Sequence, residues 1–168
     1  SPYGGSSSTA GYKGTFDGNG HTVANVCAKG TELTQYGSTS ISGAGFFGSV
    51  AANGTVKNLT VSGQMEAVQY AGGIVAALNG GRVEACTNRV NITAENMTNK
   101  NAFTGGVVGA MINSTSKTAT VIGCKNYGTI SGGTNSYLGG IVGSASYGAC
   151  VENCVNEGTV TGKTSLGG

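Results

Sequence analysis

The sequence has little proline, few charged residues and no tryptophan. It contains 1 Pro and 1 His in 168 residues, and charged side chains make up 10% of it, against roughly 25% in an ordinary soluble domain. The 9 basic and 7 acidic residues are scattered, so no dense patch indicates binding to nucleic acid or to an anionic membrane. No apolar run approaches the roughly 20 residues of a membrane-spanning helix. We therefore expect no nucleic-acid partner and no membrane span.

Glycine, by contrast, is abundant, with 32 residues. Each interior Gly costs a helix about 0.5–1 kcal/mol relative to Ala, which excludes a helical bundle. Collagen is excluded because the chain has no Gly-X-Y period. A flexible linker is excluded because 38% of the residues are hydrophobic and because valine and isoleucine recur in short blocks. An ordered, β-rich chain remains.

Three short blocks recur along the chain in the same order. The first is rich in glycine and occupies residues 44–48, 71–76, 104–109 and 138–143, and it begins again at 166–168. The second occupies residues 56–59, 83–86, 121–124 and 151–154, with residues 23–26 interpreted as its forerunner. The third occupies residues 60–63, 91–93, 129–132 and 159–162. The order and the internal spacing indicate a structural repeat.

Short β-rich segments that repeat in this way are typical of the turns of a solenoid. The sequence predicts an all-β parallel β-helix (β-solenoid) of about five coils with three short strands per coil, right-handed by the general chirality of parallel crossovers. We interpret residues 1–168 as a single β-solenoid domain and as a fragment of a larger protein. Its predicted segments are an N-terminal segment with a first irregular coil at 1–42, repeat coils at 43–70, 71–103, 104–137 and 138–165, and the start of a further repeat at 166–168.

Equivalent residues in stacked coils lie about 4.8 Å apart and form columns, which should be apolar where they point inward. The first predicted column contains Val23, Val56, Val83, Val121 and Val151. The second contains Val26, Leu59, Cys86, Cys124 and Cys154, and the third contains Val61, Ile92, Ile130 and Val160. A further column at a coil corner contains Asn88, Asn126 and Asn156, for which we predict a structural role.

The five cysteines form no CxxC pair, and the single histidine is distant from them, so we expect no metal site. Cys86, Cys124 and Cys154 are predicted to be small buried hydrophobic residues. Neighbours in a parallel ladder seldom reach the geometry of a disulfide. Cys27 and Cys150 are about four coils apart, or roughly 19 Å. All five thiols are therefore predicted to be reduced.

Several of these segments together resemble the GLUG-motif repeat family. They are residues 16–23, Gly45-Phe46-Phe47-Gly48, residues 54–63 and the later Gly-Gly-Ile-Val-Gly blocks, so that the resemblance covers about residues 11–168. The chain departs from the pattern at Ala76, Ala85 and Gly123. The resemblance implies a β-solenoid segment of a large secreted or wall-anchored bacterial protein, a group that includes adhesin-like proteins and non-catalytic regions of IgA-cleaving metallopeptidases. It implies a module rather than a reaction, and it transfers no catalytic residue.

Two groups of titratable residues suggest catalysis at first sight, but both have a structural interpretation. Asp17 and His21 belong to an Asp-Gly-Asn-Gly-His run, which predicts a tight turn. Glu84 and Glu152 share a repeat position two coils apart, whereas polysaccharide cleavage requires grouped carboxylates. Lys57 precedes Glu84 in this column, which predicts a surface ion pair between them. We expect no enzyme activity and no cofactor.

The favoured function is a non-catalytic structural or adhesive module of a bacterial protein that is extracellular, either secreted or cell-wall anchored. It would act as a stalk, a spacer or a binding scaffold. Its predicted partners are the remainder of a larger polypeptide and a host glycan or protein ligand. Ligand binding is predicted at the loops formed by residues 30–42 and 95–103. The candidate contact residues are Tyr36, Tyr137 and Tyr147.

Three alternatives stay open. The chain could be an accessory region of a secreted peptidase or a carbohydrate-active β-helix. Ice binding is a minor alternative, because the third block predicts two outward ranks of small polar side chains. These are Thr60 and Ser62, Asn91 and Thr93, Thr129 and Ser131, and Thr159 and Thr161. Short β-favouring polar residues also suit any exposed solenoid face.

Overall fold

A computed structural model describes residues 11–29, 43–67, 69–95, 101–112, 114, 117–163 and 165–167. None of these residues belongs to a helix with the length and apolar character needed to cross a membrane. Their regular elements are short strands. The strands are β1 (Thr15–Asp17), β2 (Thr22–Lys29), β3 (Gly43–Ala44), β4 (Phe47–Ala51), β5 (Thr55–Lys57), β6 (Thr60–Ala67), β7 (Tyr70–Gly72), β8 (Val75–Asn79), β9 (Arg82–Glu84), β10 (Thr87–Ala94), β11 (Ala102–Gly105), β12 (Val108–Ile112), β13 (Thr120–Ile122), β14 (Lys125–Asn126), β15 (Ile130–Gly132), β16 (Ser136–Gly139), β17 (Val142–Ala145), β18 (Cys150–Glu152), β19 (Val155–Asn156), β20 (Val160–Thr161) and β21 (Leu166–Gly167).

These strands stack into four sheets. The first sheet contains β3, β7, β11, β16 and β21, and the second contains β4, β8, β12 and β17. The third contains β1, β5, β9, β13 and β18, and the fourth contains β2, β6, β10, β14, β15, β19 and β20. The strands of each sheet pair in parallel. The predicted all-β parallel β-helix is confirmed.

One coil passes through all four sheets, as β7, β8, β9 and β10 do. The prediction of three strands per coil is therefore wrong, because a coil has four strands, or five where the fourth-sheet strand is divided in two, as in β14 and β15. The glycine-rich block is not one strand but a corner between two, because β7 ends at Gly72 and β8 begins at Val75. A Cβ on Gly72 would overlap the carbonyl oxygen of Val75, so this sharp corner requires glycine.

The third sheet carries the valine column, but the column starts differently from the prediction. Phe16, and not Val23, lies beside β5. Residues 18–21 form the predicted tight turn, after which Val23 enters the fourth sheet opposite Val61. The assignments of Val23 and Val26 to the first two columns are wrong because this turn adds residues that later coils lack. The rest of the first column is confirmed, with Val56, Val83, Val121 and Val151 in register.

The register of the fourth sheet shows that one member of the third predicted column is also misplaced. β6 and β10 pair over eight residues, which places Val61 opposite Asn88 and Met65 opposite Ile92. Val61 therefore does not belong to the isoleucine column, and Met65 takes its place. The remaining members, Ile92, Ile130 and Val160, are in register as predicted. The core lies between the sheets, and its largest fully buried side chains include Leu59, Met65, Ile74, Leu78, Ile92, Met111 and Ile130.

The register of the fourth sheet also changes the two outward ranks of small polar side chains that the third block predicts. Thr93, Ser131 and Thr161 follow one another as predicted. The residues that precede Thr93 in this rank are Glu66 and Lys29, and not Ser62. Lys29 Nζ lies 2.8 Å from Glu66 Oε2, so an ion pair interrupts the rank. The rank of small polar side chains is therefore limited to Thr93, Ser131 and Thr161, which reduces the support for the ice-binding alternative.

A column of left-handed residues follows the third sheet. Asn58, Ala85, Gly123 and Asn153 have φ values of 53, 50, 63 and 52°. Each comes directly after the last residue of β5, β9, β13 or β18. Asn and Gly tolerate this conformation, whereas Ala is strained in it. The departure of Ala85 from the repeat pattern is therefore a local weak point, while Gly123 satisfies the same backbone requirement as Asn.

Ala85→Gly is expected to raise the free energy of unfolding by about 0.5–1 kcal/mol, because relief of left-handed strain exceeds the added entropy of the unfolded chain. Urea denaturation measures the change. Gly123→Ala is the matched reverse variant, because a Cβ at Gly123 would meet no atom closer than 3.9 Å and so tests φ alone. Equal effects of the same sign in the two variants would contradict this explanation.

Candidate binding surface and the ladders that position it

Asn88, Asn126 and Asn156 stack in one ladder on the fourth sheet. Asn88 Nδ2 donates to Asn126 Oδ1 at 2.7 Å, and Asn126 Nδ2 donates to Asn156 Oδ1 at 2.8 Å. The Asn126 amide also closes a turn in its own coil, because it accepts from the N–H of Gly128 and donates to the Gly128 carbonyl oxygen, both at 3.0 Å. Asn88 and Asn126 are fully buried. The predicted structural role of this column is confirmed.

The asparagine ladder faces the second glycine of each Gly-Gly pair across the coil. A Cβ on Gly106 would overlap Asn126 Cγ and would lie 2.7 Å from Asn126 Oδ1. The same conflict would arise between Gly73 and Asn88, where the glycine Cβ would overlap the amide oxygen. A side chain at the glycine position and a buried amide opposite it therefore exclude each other. The two positions form one unit, which we call the Gly–Asn pair.

An earlier coil supports this pairing, because both positions change together there. Val61 stands opposite Asn88 in the register of the fourth sheet. Phe46 N donates to the Gly73 carbonyl oxygen, as Gly73 N donates to that of Gly106, so Phe46 occupies the glycine position. Val61 is fully buried. An apolar pair thus replaces the Gly–Asn pair, so that these two positions place no amide in the core.

The cysteine column is inward, as predicted. Cys86 and Cys124 are buried, whereas Cys154 in the last described coil is half-buried. Their thiols donate to the carbonyl oxygens two residues earlier, at 3.3, 3.4 and 3.2 Å. The hydrogen-bonded Cys86 thiol and burial raise the pKa of Cys124, and burial raises the pKa of Cys154. All five cysteines are free thiols in the structure.

Alkylation at pH 8 should distinguish these thiols, because the thiolate is the reactive species. Cys27 is exposed and is expected to react first, whereas Cys86 and Cys124 react only after unfolding. Cys150 donates to Glu152 Oε1 at 3.0 Å, and this carboxylate raises the pKa of the Cys150 thiol. Glu152→Gln should therefore speed labelling of Cys150 several-fold. Mass spectrometry of peptides gives each rate, with Cys27 as the internal control that must not change.

The carboxylates of the third sheet are separated, and the predicted pair of Lys57 with Glu84 is wrong. Lys57 Nζ lies 3.4 Å from Asp17 Oδ2. Glu84 Oε2 lies 2.8 Å from Nε of Arg82, which points to the same side of β9 two residues earlier. Glu152 lies two strands from Glu84 in the same sheet. Across the described ranges, no three His, Cys, Asp or Glu side chains come close enough together to hold a metal ion.

The Asp17–His21 run is a tight turn rather than an acid–base pair. His21 N donates to the Gly18 carbonyl oxygen at 2.8 Å. Asp17 Oδ1 accepts from Asn58 Nδ2 at 3.0 Å and from Asn19 N at 2.9 Å. These hydrogen bonds hold the pKa of Asp17 below its usual value. The carboxylate therefore fastens the turn to the next coil.

Tyr70, Phe103 and Tyr137 form a stack on the first sheet, which we call the aromatic stripe. The ring centroids of Tyr70 and Phe103 are 5.6 Å apart, and those of Phe103 and Tyr137 are 5.2 Å apart, with interplanar angles of 28° and 22°. Tyr137 is 39% exposed, whereas burial raises the pKa of the Tyr70 hydroxyl. Each ring covers a face of its neighbour, and Tyr137 is the most exposed ring of the stripe.

Of the predicted contact residues, Tyr137 and Tyr147 lie on different elements. Tyr137 lies in the aromatic stripe, whereas Tyr147 is fully exposed in the turn after β17. Tyr36 lies outside the described residues. Tyr70 and Phe103 were not predicted, although each stands directly before a glycine-rich block, as Tyr137 does. Alignment of the blocks extended by one residue would have revealed the stripe.

Comparison with known proteins bears on the last complete coil. Residues 134–161 carry β16, β17, β18, β19 and β20, with the Gly–Asn pair of Gly140 and Asn156. These residues match the GLUG motif. The resemblance predicted from the repeat is confirmed, and the GLUG motif corresponds here to one passage through all four sheets.

A longer relative extends the comparison beyond this GLUG motif. The chain is 30% identical over 98 residues to Halomucin of Haloquadratum walsbyi (strain DSM 16790 / HBSQ001). The aligned region is 58% of this chain and 1% of Halomucin, so the chain spans a very small part of that relative. No solved structure matches the chain. The relative is archaeal, so the bacterial source stays a prediction.

Proposed function

We propose that the chain is a non-catalytic structural module of a large extracellular protein, acting as a stalk, a spacer or a binding scaffold. The in-register stacking of successive coils carries the proposal. Each coil adds about 4.8 Å along the axis, so the number of coils sets the distance between flanking segments. The match to a very small part of Halomucin supports a place in a much longer polypeptide.

The details of the larger protein follow from the GLUG resemblance. A secreted or cell-wall-anchored protein of a bacterial surface is the favoured context, and an accessory region of a secreted peptidase is the alternative. A carbohydrate-active β-helix is less well supported. Its carboxylates should converge, whereas Glu84 is held by Arg82 and Glu152 accepts from Cys150.

The location is tested on intact cells of the source organism. An antibody against residues 11–168 should label intact cells or a protein in the culture medium, and a cytoplasmic protein should stay unlabelled until lysis. Labelling that requires lysis would refute an extracellular module. A peptidase or polysaccharide-degrading activity of the purified chain would refute the non-catalytic assignment.

The aromatic stripe supports a binding role as a second candidate function. We propose that its ligand is a host glycan, because a row of aromatic rings that also carries hydroxyl groups suits the apolar face and the polar edge of sugar rings. A glycan array identifies bound sugars. Tyr137→Ala should then weaken binding at least tenfold, whereas Tyr147→Ala, an equally large change outside the stripe, should leave binding unchanged. Equal loss in both variants would place the ligand elsewhere.

A further inference from the structure

A ladder of sulfur atoms runs along the inward cysteine column, and we call it the thiol ladder. Its members are Cys86, Cys124 and Cys154. Each follows a valine of the third sheet by three residues, and these valines are in register. Lys125 N donates to the Cys86 carbonyl oxygen at 2.9 Å. Val155 N donates to that of Cys124 at 3.0 Å. The three cysteines therefore occupy one position in successive coils.

The three sulfurs of the thiol ladder have the same orientation. Each thiol donates to the carbonyl oxygen two residues earlier in its own coil. Each also contacts a carbonyl oxygen of the preceding coil, at 3.6, 3.8 and 3.8 Å, and these oxygens belong to Val56, Val83 and Val121. Equal orientation makes the distance between neighbouring sulfurs equal to the step between coils, about 4.8 Å. The thiols of Cys86 and Cys124 accordingly interact with each other.

This spacing suits a soft cation that takes two ligands in a line. A zinc–thiolate bond is about 2.3 Å long, so two bonds of this length on opposite sides of one ion span about 4.6 Å. Zinc itself needs four ligands, and no group of three ligand side chains occurs in the described part of the chain. Copper(I) is a soft ion that thiolates select, and it is stable with two ligands. The spacing of zinc ligands, on which the sequence expectation of no metal site was based, does not bear on such an ion.

We propose that the thiol ladder binds one copper(I) ion in a line between two neighbouring sulfurs, those of Cys124 and of either Cys86 or Cys154. Two thiols lose their protons to the solvent and form two Cu–S bonds. One Cu⁺ and two thiols thus give one S–Cu–S unit of charge −1 and two H⁺, without transfer of an electron. Cys124 belongs to both gaps of the ladder, so the two gaps share one ion. This site is independent of the proposed structural function.

Backbone N–H groups offset the negative charge of the S–Cu–S unit. A buried charge is costly unless it is hydrogen-bonded. Cys124 N donates to Cys154 Sγ at 3.4 Å. The N–H groups of Leu59 and Cys86 interact in the same sense with the sulfurs of Cys86 and Cys124, so each sulfur has a donor in the preceding coil. Hydrogen bonds to sulfur also tune the thiolate ligands of iron–sulfur sites. The thiol protons that leave are weak donors, so the carbonyl oxygens lose little.

The test uses the whole chain with Cys27→Ser and Cys150→Ser, which leaves the thiol ladder as the only source of thiols. Because Cys86 and Cys124 are buried, the chain is refolded from urea with copper(I) under anaerobic conditions, with a coloured copper(I) chelator as competitor. We expect one retained ion per chain, two sulfur neighbours in X-ray absorption, and a Tm several degrees above that of the metal-free chain, since a ligand of the folded state stabilises it. Zinc(II) should not displace the ion.

Three alanine variants of this chain locate the ion, and each retains two thiols. Cys86→Ala and Cys154→Ala each leave one neighbouring pair, so both should bind one ion with nearly unchanged affinity. Cys124→Ala leaves two sulfurs about 9.6 Å apart, twice the step between coils, which one ion cannot span. It should weaken binding at least about 100-fold, the upper end of the loss caused by changes around a metal ligand. Circular dichroism verifies folding, and Cys124→Val replaces an unfolded Cys124→Ala, because Leu59 shows that this column accepts an apolar side chain.

Equal loss of affinity in the three alanine variants would overturn the proposal, because it would show adventitious binding to any two thiols. Three sulfur neighbours in X-ray absorption would also overturn it, as would displacement of the ion by zinc(II). A refolded chain that retains no copper against the chelator would show that the ladder is only a hydrophobic column.

Discussion

Gly106→Ala is expected to lower the free energy of unfolding by about 3 kcal/mol, at the upper end of the usual cost of overpacking. The added Cβ would overlap the Gly140 carbonyl oxygen and Asn126 Cγ. The carbonyl oxygen belongs to the backbone of the next coil and the amide is fixed by four hydrogen bonds, so neither can move without breaking the ladder. Urea denaturation of the purified variant measures the loss.

Gly167→Ala is the matched control for this variant. The nearest atom to an added Cβ there is the Leu138 carbonyl oxygen at 3.9 Å, so the expected change is within about 0.5 kcal/mol. The double variant Gly106→Ala with Asn126→Ala isolates the Gly–Asn pair. Removal of the amide should recover at least about 1 kcal/mol relative to the sum of the single effects. Strict additivity would show that the two positions do not form a unit.

The inward columns could be predicted from the sequence because they depend on local patterns. The valines of the third sheet and the cysteines three residues after them recur at constant spacing. Both columns were therefore predicted correctly from Val56 onward. The first coil was assigned wrongly because the turn at residues 18–21 adds length before Val23. Composition alone made residues 60–63 look equivalent to residues 129–132, whereas pairing over the whole of β6 sets a different register.

The Gly–Asn pair could not be predicted from the sequence, since its two residues come into contact only in the folded coil. Gly106 belongs to the glycine-rich block, whereas Asn126 lies between the second and third blocks, and each has an independent explanation as a turn residue. Only the path of the coil brings them into contact. The aromatic stripe differs in this respect, because Tyr70, Phe103 and Tyr137 occupy one repeat position. Block boundaries drawn one residue too late concealed it.

Asn126→Leu is expected to lower the free energy of unfolding by about 3–5 kcal/mol. The side chain makes four hydrogen bonds in a fully buried position, each worth about 1 kcal/mol net. Leucine would also leave two buried N–H groups without an acceptor, at a further cost: that of Gly128 and the one N–H of Asn88 Nδ2 that does not bind the Val90 carbonyl oxygen. Thermal and urea unfolding measure the loss. Asn91→Leu is the control, because Asn91 is exposed and its oxygen accepts one bond, from Thr129 N.

Asn126→Asp keeps the shape of the side chain and turns the same position into a pH-dependent one. Burial disfavours the carboxylate, so the pKa of the folded variant lies above the value of about 3.9 in the unfolded chain. The folded state then binds more protons than the unfolded state between these two values, and stability falls as pH rises through that interval. The variant should be most stable below about pH 4, where the protonated acid can still donate to Asn156. A variant that gains stability on ionisation would instead require a cation or water beside the ladder, and it would refute a dry amide column as the element that joins the coils.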